Sequence, residues 1–164
     1  MRTLRARLSY DSLEALEAAL NEYAGQLSSK AEEGAYIAAE SAVPTAIGAC
    51  PSSRVAATIE AVSEDGGASV VANGPMLSPE DGGYEVPLSQ ILEFGSGARG
   101  DAAYGAENGY TVDMSGKGEP GWRYPKGDGS FGFTHGHVAS RYMAQAAEEA
   151  RANIADSMRE AFSR

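Results

Sequence analysis

Few side chains in this chain carry chemistry, and their spacing restricts what they can do. His135 and His137, in Thr134-His135-Gly136-His137, are the only histidines. Two residues apart in an extended segment, they point to opposite faces. They cannot share a metal ion without a bend, and any further ligands would have to be carboxylates. One histidine beside a helix start and one in solvent is the plainer reading. Ser96, in Phe94-Gly95-Ser96-Gly97, shortens the Gly-x-Ser-x-Gly elbow by one residue and has no strong strand before it. Cys50 is the single cysteine, with no histidine near it in sequence, and it reads as a buried, inert thiol. Gly95-Ser96-Gly97-Ala98-Arg99-Gly100 matches Gly-x-Gly-x-x-Gly by letter, but loop follows where a phosphate-binding motif needs a helix. Glu32/Glu33 and Glu148/Glu149 are adjacent on helices, do not face each other, and read as solvated surface. No nucleophile, base and orienter come together, so the expectation is a protein without catalysis, cofactor or metal.

Composition bounds the class. The 164 residues are 43% hydrophobic, which suits one domain over 1–164 with a core of its own. No apolar run of about 18 residues is present. The start, Met1-Arg2-Thr3-Leu4-Arg5-Ala6-Arg7, is basic without an apolar stretch behind it, so no secretory signal is read and synthesis in the cytoplasm is expected. A net charge of −10 argues against general nucleic-acid binding, which needs clustered Lys and Arg.

The elements that would position these residues follow from periodicity. Leu4, Ala6, Leu8 and Tyr10 alternate with polar residues as in a half-buried strand. Asp11 or Ser12 can cap a helix, with Glu14 completing a capping box. Leu13, Leu16, Leu20, Tyr23 and Leu27 form its apolar stripe, continued by Ala31, Ala35, Ala38 and Ala42 to an expected stop at Pro44, with a kink or break near Gly34. Residues 49–53 read as a turn. Val55 to Ala61 and Ser69 to Asn73 read as strands joined by Glu64-Asp65-Gly66-Gly67. Residues 74–87 read as loop, and Pro87–Phe94 as two helical turns, with a short strand as the alternative. The glycine-rich stretch 95–121 reads as a long loop that projects from the body and orders only against neighbours. Trp122, Tyr124, Phe131 and Phe133 flank Lys126-Gly127-Asp128-Gly129 as a second hairpin whose aromatics face a core. A last helix is expected from Val138 to Phe162, with Tyr142, Ala146, Ala150, Ile154, Met158 and Phe162 in a stripe. Together these give an α+β fold: a small antiparallel sheet packed against a long N-terminal helix and a long C-terminal helix, with a long Gly-rich loop.

Two segments of this layout carry a family likeness. Glu93-Phe94-Gly95-Ser96 is followed, after a long gap, by Gly136-His137-Val138-Ala139-Ser140-Arg141-Tyr142-Met143, with Ala146-Ala147-Glu148-Glu149-Ala150 behind it. In that order, after an N-terminal helix and a central hairpin, they resemble the HK97 gp10-like family of tailed-phage neck and tail-completion proteins. The likeness spans most of the chain. Two departures stand out: Val138 and Arg141 replace prolines usual in the family, and the 95–121 loop is long.

The resemblance implies a structural virion protein of the phage neck or tail top, a tail-completion or head–tail connector subunit made in the host bacterial cytoplasm. It implies an oligomeric ring around the DNA channel, sixfold, or twelvefold where it meets the portal-side adaptor. Head-completion or adaptor, tail-terminator and tail-tube proteins would be its neighbours. Genomic DNA would pass through the lumen without specific binding, and no membrane is involved; the acidity would suit a lining that repels the duplex, although charge by itself reads more plainly as keeping the domain soluble. The subunit-interface residues implied are Glu93, Phe94, Arg99, Trp122, His135 and Arg141. Phe94 would pack beneath the loop while Glu93, Arg99 and Arg141 contact neighbours. The alternative is a small protein-binding module, regulatory or toxin–antitoxin-like, that clasps a partner with the 95–121 loop.

Overall fold

The computed structural model describes residues 10–77, 85–112, 121–125 and 130–164; for residues 10–12, 122, 124 and 125 it describes the backbone alone. The strand expected over residues 4–10 therefore falls almost wholly outside the described residues.

Small side chains decide how the two long helices meet. Helix α1 spans Tyr10–Ala49 and α5 spans Tyr142–Ser163. On α1, Gly34, Ala38, Ala39, Ala42 and Ala46 are buried; on α5, Ala146, Ser157 and Ala161 are. A residue without bulk lets two backbones approach closely, and a Cβ built on Gly34 would lie 2.5 Å from Met158 Sδ and 3.1 Å from Met158 Cα. Asn153 donates to Ser41 Oγ at 3.4 Å, and Arg164 reaches Glu33 at 3.2 Å. The helices are thus antiparallel. Lys30 and, less strongly, Arg164 hold the Glu33 carboxyl below its ordinary value.

Neither Gly34 nor Pro44 breaks α1. Gly34 is the point of closest approach, so packing rewards its missing side chain. Proline inside a helix costs about 3 kcal/mol. Pro44 nevertheless lies within α1 on its exposed side, while Ala42 and Ala46 flank it fully buried. Burial on both sides of the proline holds the last turns in place.

The central hairpin packs on α1. Strands β1 (Ile59–Glu64) and β2 (Gly67–Ala72) pair antiparallel from Ile59↔Ala72 to Glu64↔Gly67, and Gly66 takes φ 78 in the turn. The strand begins four residues later than the alternation from Val55 suggests. A helical turn, α2 (Ser53–Ala56), precedes it and drives Val55 completely into the core. That core joins Ala42, Ala46, Val55, Ile59, Leu92, Tyr142 and Ala146. Within the stretch expected to be loop, β3 (Met76–Leu77) pairs with β4 (Val86–Pro87) just before α3 (Leu88–Phe94). Further on come a 3-10 turn (Gly97–Arg99), α4 (Ala102–Glu107) and a hairpin of β5 (Trp122–Pro125) with β6 (Phe131–Thr134). The architecture is α+β, with three separate two-stranded antiparallel sheets among the described residues.

Two expectations about side-chain faces are corrected. Phe131 and Phe133 are 66% and 56% exposed while Gly132 between them is buried, so strand alternation turns the aromatics of β6 outward. The side chains of Trp122 and Tyr124 lie outside the described residues. On α5 the stripe holds for Tyr142 and Ala146, but Ile154 and Phe162 are exposed and burial passes to Ser157 and Ala161. The close approach at Gly34 selects that small-residue face. Among the described residues, no helix is long and apolar enough to cross a membrane.

Gly34→Val should lower stability by about 2 kcal/mol, as overpacking does, because Met158 Cα cannot move without parting the helices. Gly25→Ala, where a Cβ meets nothing within 4 Å, should raise it by roughly 0.5–1 kcal/mol through helix propensity. Paired thermal and urea unfolding curves check both signs.

Candidate functional site

A helix begins with backbone N–H groups that its own turns cannot satisfy. At the start of α5 the local sequence supplies no cap: Arg141 occupies the N-cap position in the left-handed region, φ 52 and ψ 35, and its side chain makes no capping bond. Glu93, fifty residues earlier, provides it. Glu93 Oε2 accepts from Met143 N at 2.8 Å and Oε1 from Ala144 N at 3.2 Å, and Tyr104 Oη donates to the same Oε1. The carboxylate is only 5% exposed. Its charge lies at the positive end of the α5 dipole, where an anion is favoured. Burial, and next the Glu93 carboxylate, push the Tyr104 phenol well above its ordinary value.

Behind the carboxylate, the two segments that carry the family likeness are joined along their backbones. Ser140 N and Oγ both donate to Leu92 O, at 2.9 and 2.7 Å, and Arg141 N donates to Glu93 O at 3.2 Å. Ser96 N donates to His137 O at 2.9 Å, while His137 N donates to Ser96 O at 3.2 Å and Ser96 Oγ at 3.0 Å. This seam needs glycine on both sides. Gly95 has φ 78, and a Cβ there would sit 2.6 Å from His137 O. Gly136 has φ 97, and its Cβ would meet Ser96 O at 2.0 Å.

The residues after the seam fold back over α3. Asp101 N donates to Phe94 O at 2.8 Å, and Asp101 Oδ1 caps α4 by accepting from Tyr104 N at 3.0 Å. Phe94 stacks on Tyr110 with ring centres 4.6 Å apart and lies 5.2 Å from Tyr104. Val112 is 6% exposed against Gly100 and Gly105. A stretch expected to project is therefore packed over residues 95–112. Gly95, Gly100 and Gly105 are places of close contact instead of flexible spacers, whereas a Cβ on Gly109 would meet nothing within 4 Å; residues 113–120 lie outside the described residues.

Arg141 closes the cluster. Its guanidinium pairs with Asp101 and lies 4.7 Å from the centre of the Tyr104 ring. The Tyr104 N–H and then Arg141 hold the Asp101 carboxyl below its ordinary value, and Asp101 in turn raises Arg141. Beside this cluster, an open groove of about 840 Å³ runs between α3 and the first turns of α5, with Asn73, Gln90, Asn108 and Arg151 on its walls.

The expected interface residues are thus distributed unevenly. Phe94 lies under the 95–112 segment of its own chain, against Tyr104 and Tyr110. Glu93, expected to face a neighbour, is buried and committed to α5 of its own chain; Arg141, expected likewise, bonds Asp101 of its own chain and keeps its side chain half exposed. Arg99 is exposed on the 3-10 turn. The His135 ring stands edge-on to Phe133 at 5.0 Å, and the Trp122 side chain lies outside the described residues. Ser96 is a backbone staple, and Cys50 is half-buried with Sγ donating to Ser52 O at 3.5 Å. Among the described residues, no three His, Cys, Asp or Glu side chains converge to hold a metal. Asp101, Tyr104 and Tyr110 escaped the sequence reading, although Asp101 before Ala102-Ala103-Tyr104 is an N-cap signal. The arrangement holds a shape: it binds two distant segments and a helix start into one unit.

Glu93→Ala should destabilise the protein by about 2–4 kcal/mol, since it leaves buried N–H groups and the Tyr104 hydroxyl unpaired, with Glu93→Gln intermediate; urea midpoints measure both. The Asp101 carboxyl is depressed in the folded state. Its stabilisation is therefore complete above the unfolded value near 3.9 and lost as pH falls through the lower folded value. Asp101→Asn should flatten the acid limb of a stability–pH curve and leave the neutral limb parallel to wild type. No protein-family model, curated protein or solved structure matches the chain, so its function is argued from this site and from the sequence.

Proposed function

We propose that this chain is a structural subunit of a tailed-phage neck or tail top, a tail-completion or head–tail joining protein that acts by tiling with copies of itself around the DNA channel. The observation that carries the proposal is the seam. The Glu93–Ser96 and Gly136–Met143 segments, on which the likeness rests, are the ones hydrogen-bonded to each other and to the start of α5. Segments that resemble a family of shape-forming proteins would thus act here by holding a shape.

Further features support a scaffold over a catalyst. The Ser96 hydroxyl and the Glu93 carboxylate are engaged in backbone hydrogen bonds. A rigid body of α1, α5 and β1–β2 carries two elements with exposed apolar side chains: the first half of α1 and strand β6 of the second hairpin, bearing Phe131 and Phe133. Head-to-tail contacts through such elements close a ring when the rotation per subunit divides a full turn. Six subunits are the stoichiometry proposed, with adaptor, tail-terminator and tail-tube proteins as neighbours. The net charge of −10 suits a lumen that DNA crosses without sticking.

Electron microscopy of the protein mixed with purified tail tubes or capsids tests the proposal. Rings seated on tube ends or portals are the expected result. Phe131→Ser with Phe133→Ser should reduce seating at least tenfold and leave the melting temperature within 2 °C of wild type, about 0.5 kcal/mol for this size. A protein that never joins tubes or capsids would sink the neck assignment and favour a protein-binding module.

A further inference from the structure

Helix α1 outruns its partner. Arg164, at the end of α5, reaches Glu33, and Met158 lies against Gly34. The helix from Tyr10 to Ser29 continues beyond for about 30 Å. Along it Leu13, Leu20, Tyr23 and Leu27 are 50, 50, 56 and 41% exposed. With Leu16 they recur at three- and four-residue steps on the face that α5 covers farther along.

A cleft of complementary character lies on the body. Strand β2 and helix α5 each pack on α1 but scarcely on each other, leaving an open cleft of about 650 Å³ between them. Ala35 and Ala39 form its floor, with Val70, Ala147, Ala150 and Ile154 on its walls. Leucine and tyrosine side chains on the arm match a surface built largely of alanine, large against small. The apolar stripe from Leu13 to Leu27 is about 21 Å long, and the α5 wall from Met143 to Ile154 about 17 Å. Charge agrees as well. From Tyr10 the arm carries Asp11, Glu14, Glu17 and Glu22 with no cation before Lys30, and among the described residues Arg151 is the one charged residue lining the cleft. An arm cannot enter its own cleft, because floor and arm belong to one unbroken helix.

We propose that the first half of α1 in one copy docks into the α1/β2/α5 cleft of the next copy. The contact joins unlike surfaces, so it propagates head to tail and supplies a joint for the ring. It deepens the ring reading and rests on it for closure, although the pairwise contact is testable by itself.

Size-exclusion chromatography with light scattering on the full chain, over a concentration series, tests it. Wild type should oligomerise as concentration rises. Leu20→Glu on the arm and Ala147→Trp in the cleft should each weaken association at least tenfold, with Arg151→Glu as a second cleft variant should the tryptophan disturb folding. Mixing the arm variant with a cleft variant should restore a one-to-one pair, since each contributes the surface the other lacks. Wild type that stays monomeric to millimolar concentration overturns the proposal. So does association that both cleft variants leave intact, which would mean that arms pair with arms or that another surface joins the copies; rings that survive in those variants would remove this contact and keep the ring reading. Arm- and cleft-dependent oligomers that never join tails or capsids would instead keep this contact and remove the neck assignment.

Discussion

The carboxylate of Glu93 against the first turn of α5 is the contact on which the remaining architecture depends. A buried charge is costly unless donors surround it, and here two helix N–H groups and a phenol do so. The arrangement fixes where α5 starts, and α5 in turn covers the alanine face of α1 and the core around Tyr142. Removing the carboxylate would loosen more than one helix end. It would weaken the junction of α3 with α5, leaving the backbone bonds of Ser140 and Arg141 to Leu92 and Glu93 to hold it.

Around that contact, glycine and short polar residues act as spacers of defined size. Gly95 and Gly136 admit a backbone carbonyl where any side chain would collide, and Ser96 and Ser140 add hydroxyl bonds to the same seam. Phe94, Tyr104 and Tyr110 then fill the space above α3. The cluster is polar at its centre and aromatic at its edge, an arrangement of interlocked hydrogen bonds that favours one geometry over many.

How much of this was legible in the sequence depends on the range of the interaction. The α5 stripe, the Asp65-Gly66 turn and the leucines of α1 are local patterns, and each gave the right element. Pro44 misled because local preference stops a helix there, whereas burial of Ala42 and Ala46 carries it on. Val55 misled because its alternation with Ala57 and Ile59 fits a strand, while the core needed a helical plug. Glu93 could be singled out by its motif but not assigned its task, since its partners Met143 and Ala144 lie fifty residues away. The aromatics of β6 look like core by composition; only the placement of Gly132 reveals which face is inward. The Leu13–Leu27 stripe announced a helix, yet periodicity alone does not say whether anything covers it.

The seam between residues 92–96 and 137–141 also works as a stem. The chain that leaves this seam at Gly97 re-enters it at Gly136, and between these points Val112, against Gly100 and Gly105, and Gly121, against Thr134 and Phe133, are themselves held. Closing a longer flexible loop costs only about 0.6 kcal/mol per doubling of its length. A longer connection between the two sides of the stem would therefore leave the long helices and their shared core nearly undisturbed, so chain length above the seam can diverge while the frame below it stays constant.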